Sequence, residues 1–353
     1  MLMFLVLLIF GQNGLISTVY TNYKEDLGNG FDLEHFQTFD KIVEELKELA
    51  NENTTDNKVF EKSLISLGET FEGREIYAFK FIRKNDNENK RKTMVIECGA
   101  HAREWVSVST CVYIITRIAR SSNTANTVSK YDWVLIPVLN PDGYVYTWKN
   151  STTRMWRKNR SFTEEQMKIY LEQKDDVCIG VDINRNFDSN WGGPGAPKTP
   201  CFTMYAGPKP FSENESKALV NFLTDNKDEV IAYISLHTFG QKWMTPFGHS
   251  KEKPTNLNEM ERVALLSVEA IKKVSGLVYT VGSSHDIMYP NSGSSVDWAS
   301  KTLSIPYTYL VEMVPKNATL EVGFMAEPEL MMENCKTIWI GLQAMASHLK
   351  NDS

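Results

Sequence analysis

Residues 97–105 constrain this chain more than any other stretch. The apolar run at 93–98 ends at Gly99 and is typical of a buried strand. The segment 105–118 repeats apolar residues every three or four positions, which predicts a helix. His101 and Glu104 therefore fall at a strand-to-helix junction, where both side chains can converge on one point. This pair can bind a metal ion with room for a third ligand, although the helix dipole alone also favours a glutamate at a helix start.

Apolar strands alternate with amphipathic helices along the rest of the chain. Strands are predicted at 63–68, 76–82, 93–98, 133–139, 231–237 and 307–313, and helices at 36–50, 105–118, 213–225, 257–274 and 328–349. The segment 145–210 has little periodicity, and its Trp, Arg and Cys content favours an ordered functional region. The alternation predicts an α/β fold with helices on both faces of a mixed or parallel sheet. Without an internal repeat or a linker, a single domain is favoured.

The amino terminus and the composition indicate an exported protein. The apolar run at 1–10 is too short to span a bilayer and is typical of a secretory signal peptide, although a basic n-region is missing. We expect a signal peptide at 1–17, a short segment at 18–30 and one catalytic domain at 31–353. The net charge of -6 favours neither nucleic acid nor an anionic membrane as a partner. Six Asn-X-Ser/Thr sequons suit an exported glycoprotein and begin at Asn53, Asn150, Asn159, Asn214, Asn317 and Asn351.

The five cysteines leave at least one thiol unpaired within the chain. Cys178 and Cys201 bracket a segment rich in glycine and proline, and they are the best candidates for a loop-closing disulfide. Cys98 and Cys111 occupy apolar core positions, so we expect buried thiols there. Cys335 is expected to be unpaired.

Two further polar residues occur at the ends of apolar strands. His237 ends the strand at 231–237, and Glu312 lies near the end of the strand at 307–313. A single histidine in such a place is more often a hydrogen-bonded core residue. Ligands of α/β proteins, however, bind at the carboxyl ends of strands, and a His/Glu/His set is the ligand type of catalytic zinc. The helix-borne His-Glu-X-X-His signature is absent from the sequence.

With these residues in place, the chain resembles the zinc metallocarboxypeptidases of the pancreatic carboxypeptidase A/B type over roughly residues 30–350. The motifs that carry the resemblance are His101-Ala-Arg-Glu104-Trp105, Asn140-Pro-Asp-Gly143, Trp156-Arg157-Lys158, Gly180-Val-Asp-Ile-Asn184-Arg185-Asn186, Gly293-Ser-Ser-Val-Asp297-Trp298 and Glu312. The resemblance implies one α/β domain with a mixed eight-stranded sheet. It also implies a secreted, zinc-dependent exopeptidase that hydrolyses the C-terminal residue of peptides and proteins.

The resemblance also implies catalytic roles for individual residues. The three ligands of one Zn²⁺ would be His101, Glu104 and His237. Asp182 would orient the first histidine from behind. Arg157 would stabilise the developing oxyanion, and Glu312 would be the general base.

The substrate-binding residues are implied in the same way. Asn184 and Arg185 would bind the terminal carboxylate, because a guanidinium matches a planar carboxylate in two hydrogen bonds. Tyr289 would close over the substrate, and the supporting subsite residues would be Arg103 and Arg154. Relatives specific for basic residues carry an aspartate at the position of Val296, so an aliphatic or aromatic C-terminal residue is expected here. The pocket walls would be Met244, Gly248, Met288 and Leu310, while Ser284, Asn291 and Ser294 leave a smaller or mixed preference open.

The chain departs from the family pattern near the base. Phe239 replaces a usual tyrosine, Met313-Val314-Pro315 replaces Leu-Arg-Asp, and extra residues precede Gly323. These departures support a second hypothesis, in which the chain is a carboxypeptidase-like protein that binds peptide C-termini with weak or no turnover. Only about a dozen residues separate the expected signal cleavage from the domain. We therefore expect an enzyme made without a zymogen stage, unless the start is incomplete or differently processed, and a monomer by default.

Overall fold

The computed structural model describes residues 31–52, 59–84, 91–174 and 176–350. The strands are β1 (Phe60–Glu69), β2 (Glu75–Arg83), β3 (Thr93–Cys98), β4 (Asp132–Ile136), β5 (Val230–Thr238), β6 (Lys242–Thr245), β7 (Thr280–Ser283) and β8 (Tyr307–Met313). The helices are α1 (Phe39–Asn51), α2 (Trp105–Arg120), α3 (Ser122–Val128), α4 (Pro141–Thr147), α5 (Glu164–Gln173), α6 (Asn214–Asp225), α7 (Leu257–Ser275), α8 (Ser284–Ile287), α9 (Ser295–Leu303), α10 (Leu320–Phe324) and α11 (Pro328–His348). The signal peptide expected at 1–17 and the segment at 18–30 lie outside the described residues.

The eight strands form one mixed sheet in the order β1-β2-β4-β3-β5-β8-β6-β7. The central strands β4, β3, β5 and β8 run parallel to one another, and β2 joins β4 in the antiparallel sense. The expected α/β fold with an eight-stranded mixed sheet is therefore confirmed. The strands β6 and β7 were not predicted, because four residues are too few to establish an apolar alternation.

Helices cover both faces of the sheet and create two apolar cores. One core contains Met94 and Ile96 of β3 together with side chains from α1, α2, α7 and α11. The other contains Val95 of the same strand, with side chains from α6 and α9. Successive residues of a strand point to opposite faces, so a strand buried on both sides is apolar throughout. This burial fixes the central strands, whose carboxyl ends carry the candidate site.

Gly99 lets the chain leave β3 toward His101. Its φ is +68°, and a Cβ at this position would lie 3.1 Å from the Val138 Cα and 3.3 Å from the Pro137 carbonyl oxygen. A side chain here would be strained both by the backbone conformation and by these contacts. The hydroxyl of Ser107 accepts a hydrogen bond from the Gly99 amide and donates one to the carbonyl of Leu236 on β5. The strand end and the start of α2 are therefore held together.

The cysteines correct one expectation. Cys98 at the end of β3 is joined to Cys111 in α2, with Cα atoms 6.4 Å apart, so the expectation of two buried thiols was wrong. Each cysteine fits the apolar pattern of its own element, and that pattern cannot distinguish a thiol from half of a buried disulfide. The structure also joins Cys178 to Cys201 and leaves Cys335 as a buried free thiol.

The weakly periodic segment at 145–210 is ordered around buried polar contacts. It includes α5, which begins with a capping box between Thr163 and Gln166. The side chain of Asn159 is fully buried and donates hydrogen bonds to the carboxylates of Glu213 and Glu215. Of the sequons within the described residues, the one at Asn159 is therefore closed to a glycan in the folded protein.

Glu215 makes the stability of the fold depend on pH. Burial first, and then the Glu213 carboxylate, raise the pKa of Glu215 to about 8. A glutamate in the unfolded chain has a pKa of about 4.3. The contribution of protonated Glu215 to the free energy of unfolding is therefore complete below about pH 4.3 and is lost as the pH rises through about 8. We expect the free energy of unfolding of the wild type, measured in urea relative to Glu215→Gln, to fall by about 3–4 kcal/mol between about pH 5 and about pH 8. The exposed control Glu329→Gln should show a flat difference, and a flat difference for Glu215→Gln would contradict the assignment.

Within the part of the chain that the structure describes, no helix combines the length and the hydrophobicity needed to span a membrane.

Candidate active site

Three predicted metal ligands meet at the carboxyl ends of β3 and β5. The Nδ1 atom of His101 lies 2.8 Å from Glu104 Oε1, and the Nδ1 atom of His237 lies 2.9 Å from Glu104 Oε2. The two Nδ1 atoms are 3.0 Å apart, and the ligand atoms of all three residues lie within 4.8 Å of one another. All three side chains are buried. Although burial acts to raise it, the two imidazoles hold the pKa of Glu104 below its ordinary value.

The chemistry of this donor set fits a zinc ion. The Nδ1 atoms of both histidines lie beside the buried Glu104 carboxylate. The Nε2 atom of each ring contacts a different side chain. The Nε2 atom of His101 lies 3.1 Å from Asp182 Oδ1, and the Nε2 atom of His237 lies 2.9 Å from Ser235 Oγ. Outward hydrogen bonds of this kind orient ligand histidines, and two His with one Glu leave a coordination position open.

Glu312 lies directly beside these ligands. It is the register partner of His237 in the parallel pair of β5 and β8. The side chain is 7% exposed and lines the cavity, and its Oε2 atom has no hydrogen-bond partner among the described residues. Burial first, and then the Glu104 carboxylate, raise the pKa of Glu312 to about 7. A carboxylate so placed can both accept and release a proton near neutral pH.

Arg157 brings a fixed positive charge to the same place. Its Nε donates to Asp182 Oδ2 at 2.8 Å, and its Nη1 lies 3.7 Å from Glu104 Oε1. Although burial acts to raise it, Arg157 and His101 hold the pKa of Asp182 well below its ordinary value. Asp182 therefore positions both the first histidine and this guanidinium, which lines the cavity.

A second group of residues, Asn184, Arg185 and Tyr289, lines the same cavity. Arg185 donates through Nη2 to the Tyr289 hydroxyl at 3.0 Å and through Nε to the Gly195 carbonyl at 2.9 Å. The Asn184 Oδ1 atom accepts a hydrogen bond from the Ser295 amide at 3.0 Å, which fixes its amide orientation. Arg185 is buried, whereas Tyr289 lines the same cavity and is 41% exposed to solvent. The structure brings these residues together in an arrangement that suits an incoming carboxylate.

The two supporting arginines occupy different places. Arg103 lines the cavity, with its guanidinium 4.1 Å from the centre of the Phe324 ring. Burial first, and then Arg157, lower the pKa of Arg103 to about 10. Arg154 lies behind it and donates to the carbonyls of Arg103 and Phe324 while stacking on Trp105. Arg154 therefore holds the wall of the site and does not line the cavity.

The cavity has a volume of about 190 Å³. Its described lining includes Met288, Asn291 and Leu310 from the predicted pocket. Val296 is not among these lining residues. It is 2% exposed and packs in the same apolar core as Leu310 and Met244. The structure thus places it beneath the pocket wall.

The departures from the family pattern are packed into the fold. The Phe239 ring packs edge-on against Phe324 with centroids 5.1 Å apart, and a Cβ on Gly323 would lie 2.0 Å from it. The Val314 amide donates to Asn334 Oδ1 of α11 at 3.0 Å. The chain that follows the base is therefore anchored although its sequence differs.

Glu97 and Ser235 were missed by the sequence reasoning. Glu97 is fully buried in β3, and its Oε2 atom accepts a hydrogen bond from Ser235 Oγ at 2.6 Å. The available signal was an acidic residue inside an apolar run, which is costly to bury without a partner.

Comparisons with known proteins agree with this geometry. The zinc carboxypeptidase family model (peptidase M14) matches residues 52–341. Carboxypeptidase A2 of Rattus norvegicus is 34% identical over 334 residues, which are 94% of this chain and 74% of the rat protein. Carboxypeptidase O of Homo sapiens is 36% identical over 251 residues, which are 70% of this chain and 63% of the human protein.

A solved structure shows the same relationship. Bovine thrombin-activatable fibrinolysis inhibitor, in complex with tick carboxypeptidase inhibitor, superposes with a TM-score of 0.77 at 31% identity. The superposition covers 90% of this chain and 98% of the bovine one. From the family match, the extent of these similarities and the His/Glu/His site, we conclude that the chain belongs to the zinc carboxypeptidase family and is a hydrolase of that type.

Proposed function

We propose that this protein is a secreted exopeptidase that binds one zinc ion and removes an aliphatic or aromatic residue from the C-terminus of peptides and proteins. One observation carries the proposal: a His/Glu/His metal site, a buried carboxylate and a buried arginine line the same small cavity. The ligands of the ion would be His101, Glu104 and His237. When bound, zinc supplies Lewis acidity that polarises the scissile carbonyl and makes water more acidic.

The other side chains of the site would bind the substrate, transfer protons and stabilise negative charge. Arg185, with Asn184 and Tyr289, binds the terminal carboxylate and so restricts cleavage to the last residue. Glu312 accepts a proton from the attacking water and then delivers it to the leaving amine. Arg157 stabilises the negative charge that develops on the carbonyl oxygen. Its ion pair with Asp182 keeps the guanidinium in place before the substrate arrives.

Two disulfides in the described residues support an extracellular location, since such bonds persist in oxidising compartments. We propose secretion through the signal peptide at 1–17. The partners would be peptides and proteins with a free C-terminus, and the protein would act as a monomer. The long irregular stretch between α5 and α6, closed by Cys178–Cys201, would supply the substrate-binding loop.

Substrate preference tests the apolar pocket. We expect hippuryl substrates ending in Phe or Leu to be cleaved with a kcat/KM about 10²-fold above one ending in Lys, because an ammonium is costly to bury without a partner. Cleavage should cease when a zinc chelator is added and return with zinc. Leu310→Asp, at a residue that lines the cavity, should shift the ratio toward Lys by about tenfold or more, whereas the exposed control Leu265→Asp should not. A wild-type preference for Lys would overturn the proposed specificity, and the absence of any chelator-sensitive release would favour the binding protein.

A further inference from the structure

The two histidines of the metal site are supported differently from behind. His101 contacts the carboxylate of Asp182 directly at 3.1 Å. His237 instead contacts the hydroxyl of Ser235 at 2.9 Å, and that hydroxyl lies 2.6 Å from Glu97 Oε2. Glu97 and Ser235 are register partners in the parallel pair of β3 and β5. The contact is therefore built by two adjacent central strands.

We propose that Glu97 is a positioning residue that orients His237 for zinc through the hydroxyl of Ser235. The inference rests on the proposed zinc site. A zinc-binding His237 needs a bare Nδ1 and hence a proton on Nε2. Ser235 has one hydroxyl proton, which it donates to Glu97. Its oxygen is then left to accept the Nε2 proton of His237.

Without Glu97 the hydroxyl can turn around. It would then donate to the His237 Nε2 atom, and the ring proton would move to Nδ1, where it blocks the metal. Among the described residues, the other hydrogen-bonding atom near the His237 Nε2 atom is Asn184 Nδ2 at 3.4 Å. It belongs to an amide fixed by Ser295, so it is a donor and cannot accept the ring proton.

Tyr233 keeps Glu97 in place. Its hydroxyl lies 3.1 Å from Glu97 Oε2 and 2.9 Å from Ser295 Oγ. Glu97, Tyr233 and Ser235 are all fully buried, so water does not compete for these contacts. The Glu97 carboxylate thus lies on a central strand and belongs neither to the described cavity lining nor to the His/Glu/His group.

Zinc affinity of the intact protein tests the proposal. Metal-free protein is titrated with zinc against a competing chelating dye for the wild type, Glu97→Leu, which removes the acceptor of the Ser235 hydroxyl, Ser235→Ala and the double variant. We expect each single variant to raise the zinc Kd by about 10- to 100-fold. If Glu97 acts through Ser235, the double variant should match Ser235→Ala and should not multiply the two effects. The control Glu45→Gln removes a buried carboxylate of α1 that pairs with Arg120, and it should leave the Kd within about twofold.

Thermal unfolding of the metal-free proteins separates positioning from a structural role, which would lower Tm without changing the zinc Kd. Ser235→Ala removes only a hydroxyl and keeps the test valid if Glu97→Leu does not fold. A Kd within twofold of the wild type for Ser235→Ala, or a multiplicative double variant, would overturn the inference. A wild type that binds no zinc would instead overturn the proposed function.

Discussion

Glu312→Gln should lower kcat by about 10²- to 10⁴-fold, the range that general acid–base catalysis supplies. The amide keeps the size of the side chain but can neither accept the proton of the attacking water nor pass it to the leaving amine. Glu312 lies outside the proposed His/Glu/His ligand set, so the variant should still bind one zinc ion per chain. The measurement is steady-state hydrolysis of a hippuryl-Phe substrate, with zinc content determined on the same sample.

The exposed residue Glu329 on α11 offers a matched control. Glu329→Gln makes the same chemical change on the surface and should leave kcat unchanged. If Glu312→Gln keeps a tenth or more of the wild-type kcat, another group is the base. If it loses zinc as well as activity, Glu312 belongs to the metal site itself.

The second large effect is expected at Arg185. Removing one partner of a buried, hydrogen-bonded charge pair costs about 2–5 kcal/mol, so Arg185→Ala should lower kcat/KM by about 10²- to 10³-fold for substrates with a free C-terminal carboxylate. The slow cleavage of C-terminally amidated substrates should be unaffected, and the selectivity for exopeptidase cleavage should collapse. Arg185→Lys keeps the charge but loses the two-pronged geometry, and should give an intermediate value.

Arg262 provides the comparison for this experiment. It pairs with Glu259 on the surface, away from the site. Arg262→Ala should retain the wild-type ratio between free and amidated substrates. If Arg185→Ala retained that ratio as well, the carboxylate would be bound elsewhere in the cavity.

Much of the fold could be predicted because its central strands are buried on both faces. β3 and β8 were predicted with their observed bounds, since a strand covered by helices is a continuous apolar run. The four-residue strands β6 and β7 carry no such signal, and their places in the sheet depend on the pairing of β6 with β8 and of β7 with β6, which no local pattern encodes. The disulfide between Cys98 and Cys111 was not predicted for a similar reason. Each cysteine matches the apolar period of its own element, and only the tertiary structure brings the two together.

Some residues of the candidate site could likewise be predicted from the sequence, and others could not. The convergence of the four residues proposed as ligands and base was predictable, because polar residues at or just beyond the ends of apolar strands are conspicuous. The position of Val296 and the role of Glu97 depend on which side chains face each other across the sheet. The sequence places Glu97 within an apolar run but does not state that Ser235 lies opposite it.

The pairing of His237 with Glu312 in adjacent strands has a practical consequence. The distance between the proposed ligand His237 and the proposed base Glu312 is set by sheet hydrogen bonds and not by a loop, so we expect it to persist whether or not an ion is present. Removal of the metal should therefore empty the site without unfolding the protein. A sample inactivated with a chelator would remain folded. The rate at which its activity returns would be limited by zinc binding and not by refolding.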